Sequence, residues 1–351
     1  MGKKGLQSSL KRAANRKCDE FYTPYDRVAE ELAHYVDDAF RDKTIYCPCD
    51  DWEWSSFPRY FRDNFKRLGL KRLISTCIAA KPDDDIFSQF DDPAAHCGKW
   101  QIIDADGERH GLLEGNGDFR SSECIELMRG ADIIATNPPF SLFRAFFNQL
   151  TDLDKKWIII GHQNVLTYMD VFPRFKNLEF HYGASGPVRS FLTPEGYYAR
   201  DAAGIVRIGG IYFFTNLDHD APPTPLVMTK EYSPDAYRHY DNADAIDIPR
   251  TADIPKDYDG MMGVPTSFLS RWDHHQFELV DALSSWGKTY SKIYTSQAVY
   301  HATDGRVYKT SKNNGNAMFR LDAPPVDSSY YEFDGGYYEA AFQRVLIRRR
   351  R

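Results

Sequence analysis

Apolar positions in the first half of the chain alternate between short unbroken runs and helical repeats. Val28, Leu32, Tyr35 and Val36 share one face of a helix that follows the extended stretch "DEFYTP". Pro24 suits its first turn, where a fixed torsion is tolerated. "KTIYCPC" then predicts a buried strand, and Phe57, Phe61, Phe65 and Leu68 predict one helix ended by Gly69. "LKRLISTCIA" is a second strand, and "KWQIIDADGERHGLLE" a hairpin turning near Asp106-Gly107. "ADIIAT" is a further strand, the repeat Phe143, Phe146, Phe147, Leu150 a helix, and "KKWIII" a strand again. This alternation predicts an α/β fold with an open, mostly parallel sheet covered on both faces. Ligands in such sheets bind beyond the carboxyl ends of the strands. Here those ends are "CPCDD" (47–51), "GDFRS" (117–121) and "NPPF" (137–140). From about residue 176 the pattern gives way to Gly/Pro-rich loops and short β segments such as "GGIYFFTNL", a less regular lobe.

Composition changes this picture little. Of the 351 residues, 42% are hydrophobic and 27% charged, as in an ordinary soluble globular protein. The formal charge of −6 excludes a uniformly basic nucleic-acid binder, but the charge is uneven. Lys3, Lys4, Lys11, Arg12, Arg16 and Lys17 crowd a basic, flexible arm over residues 1–18, and the sequence closes on Arg348-Arg349-Arg350-Arg351. Such an arm meets phosphates locally while acids elsewhere keep the chain soluble. No apolar run approaches the roughly 20 residues that span a bilayer. The six Cys lack paired short spacings and read as reduced thiols of a cytoplasmic protein. Without a CxxC pair or HExxH, no metal site is expected.

The chemistry concentrates in Asn137-Pro138-Pro139-Phe140. An Asn amide oxygen and the Pro138 carbonyl are two acceptors held stiffly, because proline fixes its torsion and cannot donate. Two acceptors suit the two hydrogens of an aromatic amine. Pulled toward tetrahedral geometry, that nitrogen regains the lone pair it otherwise shares with its ring. Phe140 offers a face for stacking. The bland alternative is a strand-exit turn, since Asn-Pro and Pro-Pro both punctuate chains. Placement between a buried strand and an amphipathic helix favours methyl transfer to an amine. S-adenosylmethionine would then occupy the other corners. Asp50 or Asp51 would meet its ammonium or ribose, Asp118 the adenine amine and Phe119 the adenine ring. Tyr22-Thr23-Pro24 would cradle the methionine end. For each Asp the bland alternative is a helix cap.

With those residues laid out, the chain resembles the EcoRI-type adenine-specific DNA methyltransferases. The shared stretches are "DEFYTPY", "YCPCDDWEWSSF", "NGDFRSSE", "TNPPFSLF", "FFTNLD" and "DYDGMMGVPTSFL", in the family's order. The resemblance implies a Rossmann-like domain, S-adenosylmethionine as donor and adenine N6 in double-stranded DNA as acceptor. It implies Asn137, Pro138, Pro139 and Phe140 as the catalytic corner. Tyr22, Thr23, Pro24, Cys49, Asp50, Asp118 and Phe119 would line the donor pocket, and Lys11, Arg12, Arg16 and Lys17 would contact DNA. The expected layout is the arm, a catalytic domain at 19–175, further strands with target recognition at 176–280, and a C-terminal extension at 281–351 with a basic tail. A bacterial or phage-encoded monomer is expected, paired functionally with a restriction endonuclease without touching it. "YCPCDD" stands where most methyltransferases carry a Gly-rich loop, and "LISTCIAAK" lacks the usual ribose-binding acid. Residues 282–340 are longer and richer in Tyr than the family pattern. Two rivals remain: the same chemistry on RNA or a protein glutamine, and a catalytically silent DNA-binding protein. An oxidoreductase is disfavoured by the absence of GxGxxG after the first strand.

Overall fold

In the computed structural model the described residues are 22–79, 96–192, 201, 204–221, 225–284, 287–310 and 316–350. Lys11, Arg12, Arg16 and Lys17 lie outside them. The chain divides into two compact units, Met1–Val165 with Leu178–Ala221, and Leu166–Asn177 with Pro222–Arg351.

The first unit begins with α1 (Tyr25–Leu32), which buries Val28 and Leu32. Tyr35 follows into the core, but Val36 is 65% exposed, contrary to the helical expectation. The helix has already ended at Leu32, so its period no longer carries position 36 inward. The expected 57–68 helix is two helices, α2 (Ser56–Asp63) and α3 (Phe65–Leu68). They part at Asn64, whose side chain donates to the Tyr60 carbonyl at 2.9 Å and accepts from Arg67 at 2.9 Å. Gly69 then adopts φ +63°, the left-handed stop that its position predicts.

The sheet of this unit has eight strands, β1 (Thr44–Cys47), β2 (Arg72–Cys77), β3 (Lys99–Asp104), β4 (Gly107–Leu112), β5 (Ile133–Thr136), β6 (Lys156–His162), β7 (His181–Leu192) and β8 (Ile205–Thr215). Their order is β4-β3-β2-β1-β5-β6-β8-β7. Only β2-β1-β5-β6 run parallel; the joins β2–β3, β3–β4, β6–β8 and β8–β7 are antiparallel. The expected mostly parallel sheet is therefore corrected to a mixed one. Its two edges are hairpin-like returns, which need no crossover helix. The four central strands are buried along nearly their whole length, as parallel strands covered on both faces must be. The helices α4 (Ser122–Gly130) and α5 (Phe143–Asp152) precede β5 and β6. Phe143, Phe146, Phe147 and Leu150 are all buried on α5, as their spacing predicts. Strand order reverses between β1 and β5, so the switch-point crevice lies beyond Cys47 and Thr136.

The second unit opens with α6 (Phe172–Lys176) and carries two smaller sheets. One orders β11 (Phe277–Leu283), β17 (Arg344–Arg349), β10 (Met262–Pro265) and β9 (Ile246–Asp247). The other orders β13 (Val307–Thr310), β12 (Ala298–His301), β15 (Tyr330–Phe333), β16 (Gly336–Ala340) and β14 (Met318–Leu321). Much of the Tyr-rich 282–340 stretch thus forms its own sheet, with Tyr294, Phe333 and Tyr338 at its core. Among the described residues no helix is long and apolar enough to cross a membrane.

One buried carboxylate ties α1 to β7. Glu31 accepts the N–H groups of Ala184 (2.9 Å) and Ser185 (2.8 Å), and the hydroxyls of Ser185 (2.6 Å) and Tyr35 (2.9 Å). Those N–H groups belong to the irregular stretch of β7 between Tyr182 and Pro187, where the ladder to β8 slips. Glu31→Ala leaves these part-buried groups without an acceptor, at about 1–3 kcal/mol each. A loss of about 2–4 kcal/mol in urea-denaturation stability is expected. A loss below about 1 kcal/mol would show that this bulge simply turns to water.

Candidate active site

The Asn-Pro-Pro-Phe corner begins where β5 ends. Asn137 is half-buried, Pro138 buried, and Pro139 and Phe140 half-buried. Phe140–Leu142 makes a single 3-10 turn, closed by Leu142 N–H on the Pro139 carbonyl at 2.9 Å, and leads directly into α5. The Phe140 ring stands edge-on to Phe191 of β7, 6.3 Å between centroids and 85° between planes. The aromatic shelf is therefore braced from the far strand of the sheet.

The β1 corner faces it across the switch point. Cys49 has φ +64°, unusual for a residue with a side chain, so the chain turns sharply where other sheets of this kind place glycine. That turn drives Asp50 inward to 2% exposure. Its N–H donates to the Thr76 carbonyl at 3.0 Å, near the end of β2. Its carboxylate receives the Thr136 hydroxyl, the Ser55 hydroxyl and the backbone N–H of Asn137. The Thr136 hydroxyl also lies against the Pro48 carbonyl. Burial pushes the Asp50 carboxyl up to about 7, while those three donors and their hydrogen bonds pull it back. Ser55 holds the N-cap position of α2 but does not cap it, its hydroxyl being spent on Asp50. Asp51 is part-exposed and ties its own turn, accepting Glu53 N–H at 2.9 Å.

Tyr22 lies against Leu192 at the end of β7 through two 2.8 Å backbone bonds, N–H to O in each direction. The Thr23 carbonyl accepts the Ser56 hydroxyl at 2.6 Å, which brings "YTP" to the head of α2 beside Ser55. Thr23 is 4% exposed, and its Oγ1 has no hydrogen-bond partner among the described residues. Pro24 caps α1, its carbonyl accepting the Arg27 and Val28 N–H groups.

The stretch 117–121 reaches the rim differently from expectation. It does not end a parallel strand but follows the return of β4. The Asn116 carbonyl accepts the Ala79 N–H at 2.8 Å, and Gly117 (φ +81°) packs so closely on the Cys77 carbonyl that a Cβ would sit 2.4 Å from it. Asp118 thereby lies just beyond β2. Its carboxylate takes Arg120 Nε (2.8 Å) and an Arg120 terminal nitrogen (2.6 Å), which holds it below the usual carboxylate range. Phe119 is buried, edge-on to Phe146 at 5.0 Å.

The Asn-Pro-Pro-Phe corner, its braced aromatic ring and a buried acid thus meet at one switch point. Comparison with known proteins adds the decisive observation. The family model for the adenine-specific methyltransferase EcoRI matches residues 9–350. The chain belongs to that family. It is a site-specific DNA adenine methyltransferase, and its family makes S-adenosylmethionine the methyl donor. Among its relatives, the type II methyltransferase M.EcoRI of Escherichia coli is 38% identical over 302 residues, 80% of this chain and 90% of the relative. M.MpnI of Mycoplasma pneumoniae is 31% identical over 303 residues, 82% of this chain and 90% of the relative. M.MgeORF184P of Mycoplasma genitalium is 32% identical over 301 residues, with the same coverage. No solved structure matches the chain.

Within this family member, Ser55, Thr136 and Phe191 were not singled out by sequence reasoning. Thr136 and Phe191 act through contacts distant in the chain, and Ser55, though near Asp50 in sequence, stands where a helix cap is expected, so no local motif marks any of them. The Asp50 cluster makes a signed pH prediction. A carboxyl whose folded value is raised gives stability below its unfolded value, near 4, that is lost as pH rises through about 7. Wild-type urea midpoints should therefore fall between pH 4 and pH 8 by more than those of Asp50→Asn. Parallel profiles for the two proteins would show that the buried acid does not set the pH response.

Proposed function

We propose that this enzyme methylates N6 of an adenine rotated out of double-stranded DNA, with Asn137, Pro138 and Phe140 as the groups that touch the base. The observation that carries the reading is the position of Asn137. It sits at the carboxyl end of β5, on the switch point, with its backbone N–H held by Asp50. An adenine amine is buried in the duplex, so reaching such a crevice requires extrusion of the base.

In this reading the Asn137 Oδ1 and the Pro138 carbonyl accept the two amine hydrogens, and Phe140 stacks on the purine. Stacking of this kind contributes roughly 1–3 kcal/mol. Pro139 stiffens the corner and hands the chain to the 3-10 turn. Bound S-adenosylmethionine supplies an electrophilic methyl group. Two features suit that donor. The buried Thr23 Oγ1 lacks a partner among the described residues and would gain one from the ligand. The Asp50 carboxyl, poised by burial, suits a neighbouring ammonium. Tyr22 and Pro24 frame Thr23, while Cys49 shapes the turn that presents Asp50. Asp118 and Phe119, just beyond β2, would meet the adenosine end, with Arg120 as the group the donor would have to displace or share. Nothing in this scheme calls on a metal, because the amine proton leaves to solvent after attack.

We further infer a single-chain enzyme of a bacterial cytoplasm, working beside an endonuclease it does not touch. The names of the relatives as type II methyltransferases support the restriction–modification setting. Neither RNA, a protein glutamine nor a silent scaffold gains support from them.

The test is Asn137→Ala assayed for tritium transfer into duplex DNA. Loss of about a hundredfold or more is expected, with duplex and donor affinities within a few-fold of wild type. Equal losses in transfer and in donor binding would make Asn137 part of the donor pocket instead.

A further inference from the structure

The second unit carries an open cleft of about 570 Å³ lined by His274, His275, Glu278, Arg349 and Arg350. It is built on anchored elements. His274 and His275 lie on a tight turn whose ends are tied by Gln276 and Phe277 N–H groups to the Asp273 carbonyl, at 3.1 and 2.9 Å. Gln276 in turn grips the Leu226 backbone through both amide atoms, at 2.6 and 3.1 Å. The two imidazoles lie 3.9 Å apart between centroids. Arg349 ends β17, a strand pinned by Arg344, whose buried guanidinium meets Asp247 at 2.9 Å. Arg350 N–H donates to the Gln276 carbonyl at 2.8 Å, fastening the strand end to the turn.

The charges in this cleft are unspent. Among the described residues neither Arg349 nor Arg350 has an ion-pair partner, and neither imidazole has a hydrogen bond. Glu278 is the one acid on the cleft, and it stands across the ladder from a third arginine, Arg348. Asp273 is buried and accepts the His275 N–H at 2.8 Å. A cation is the other occupant to weigh, since Asp273, His274 and His275 bring ligand atoms within 4.8 Å of one another. Two guanidiniums on the same cleft oppose a divalent ion and favour an anion with several acceptor oxygens.

We propose that this cleft holds a phosphate of the DNA backbone, with Arg349 and Arg350 supplying the charge and His274 and His275 further N–H donors. The proposal rests on the reading of duplex DNA as substrate. It assigns to the second unit a contact that positions the duplex and carries no base information.

The experiment measures affinity for a duplex against salt concentration, with wild type and the double variant Arg349→Ala/Arg350→Ala. Each phosphate that no longer meets a cation should flatten the slope of log K on log salt by about 0.9, so a decrease of about 1–2 is expected. The fold loss should be the same for duplexes of any sequence. Arg349→Lys/Arg350→Lys should recover most of the slope, and a melt of each variant checks that the unit still folds. His274→Ala/His275→Ala should weaken every duplex alike. An unchanged slope in the alanine variant overturns the proposal. So does duplex binding that collapses in EDTA and returns with zinc, or inorganic phosphate that binds the cleft while the duplex slope is unaffected. Methyl transfer by wild type is scored separately: its failure sinks the enzymatic reading, whereas the slope still decides the cleft.

Discussion

The arrangement depends on one buried carboxylate joining three strand ends. Asp50 takes its place through the left-handed turn at Cys49, binds β2 through its backbone and holds β5 through Thr136 and Asn137. Sealing a carboxyl at 2% exposure is unfavourable by itself. The three donors offset part of that penalty, and they tie the acid to the end of β5 and the head of α2. The role proposed for Asn137 requires it to be held within about half an ångström of the productive geometry. A joint that fixes the Asn137 backbone, with prolines on its far side and Phe191 behind the shelf, meets that demand without any motion of the side chain itself.

This joint also accounts for the missing glycine loop. In a Gly-rich corner, backbone N–H groups approach the ligand because no side chain intervenes. Here "YCPCDD" spends the turn differently, placing a strained Cys where glycine would rest and using the gained space for an acid. The proposed donor pocket is then made of side chains: the Thr23 hydroxyl on one flank, Asp50 on the other. The helix start beneath them surrenders its own cap, since Ser55 bonds Asp50 rather than its first turn.

Much of the first unit was legible in the sequence because its signals are local. Unbroken apolar runs marked β1, β2, β5 and β6, and the Phe repeat marked α5 down to which residues are buried. Gly69 and Gly107 announced a stop and a turn through torsions that other residues avoid. What was hidden lies in side-chain partners that the pattern does not mark, most of them distant in the chain. Nothing near "SSF" indicates that Ser55 serves a carboxyl rather than its own helix, and nothing near "DIIAT" indicates the clasp on Thr136. Strand direction was hidden too. Apolar runs look alike whether the neighbour is parallel or antiparallel, so the returns at both edges had to come from the fold. Asn64 broke an otherwise continuous helical repeat because its side chain competed for backbone partners that the periodicity ignores. In the second unit the short strands carry little periodicity, and the pairing of a His-His turn with an Arg-rich strand end is invisible until β11 and β17 align.

A net charge of −6 stands at odds with a DNA substrate only until distances are considered. At physiological salt a charge is screened beyond about 8 Å, so a phosphate responds to the groups beside it and hardly to the acids elsewhere. What counts is whether cations are clustered and unspent. Most arginines of the first unit are committed: Arg120 to Asp118, Arg72 and Arg109 to Asp104, Arg27 to Glu30. Among the described residues Arg349 and Arg350 are not, and they sit at the end of a strand anchored by the buried Arg344–Asp247 pair. An acidic body with a few fixed, uncommitted cations binds a polyanion only where those cations reach it. That selects an orientation on the duplex, which a uniformly basic surface would not.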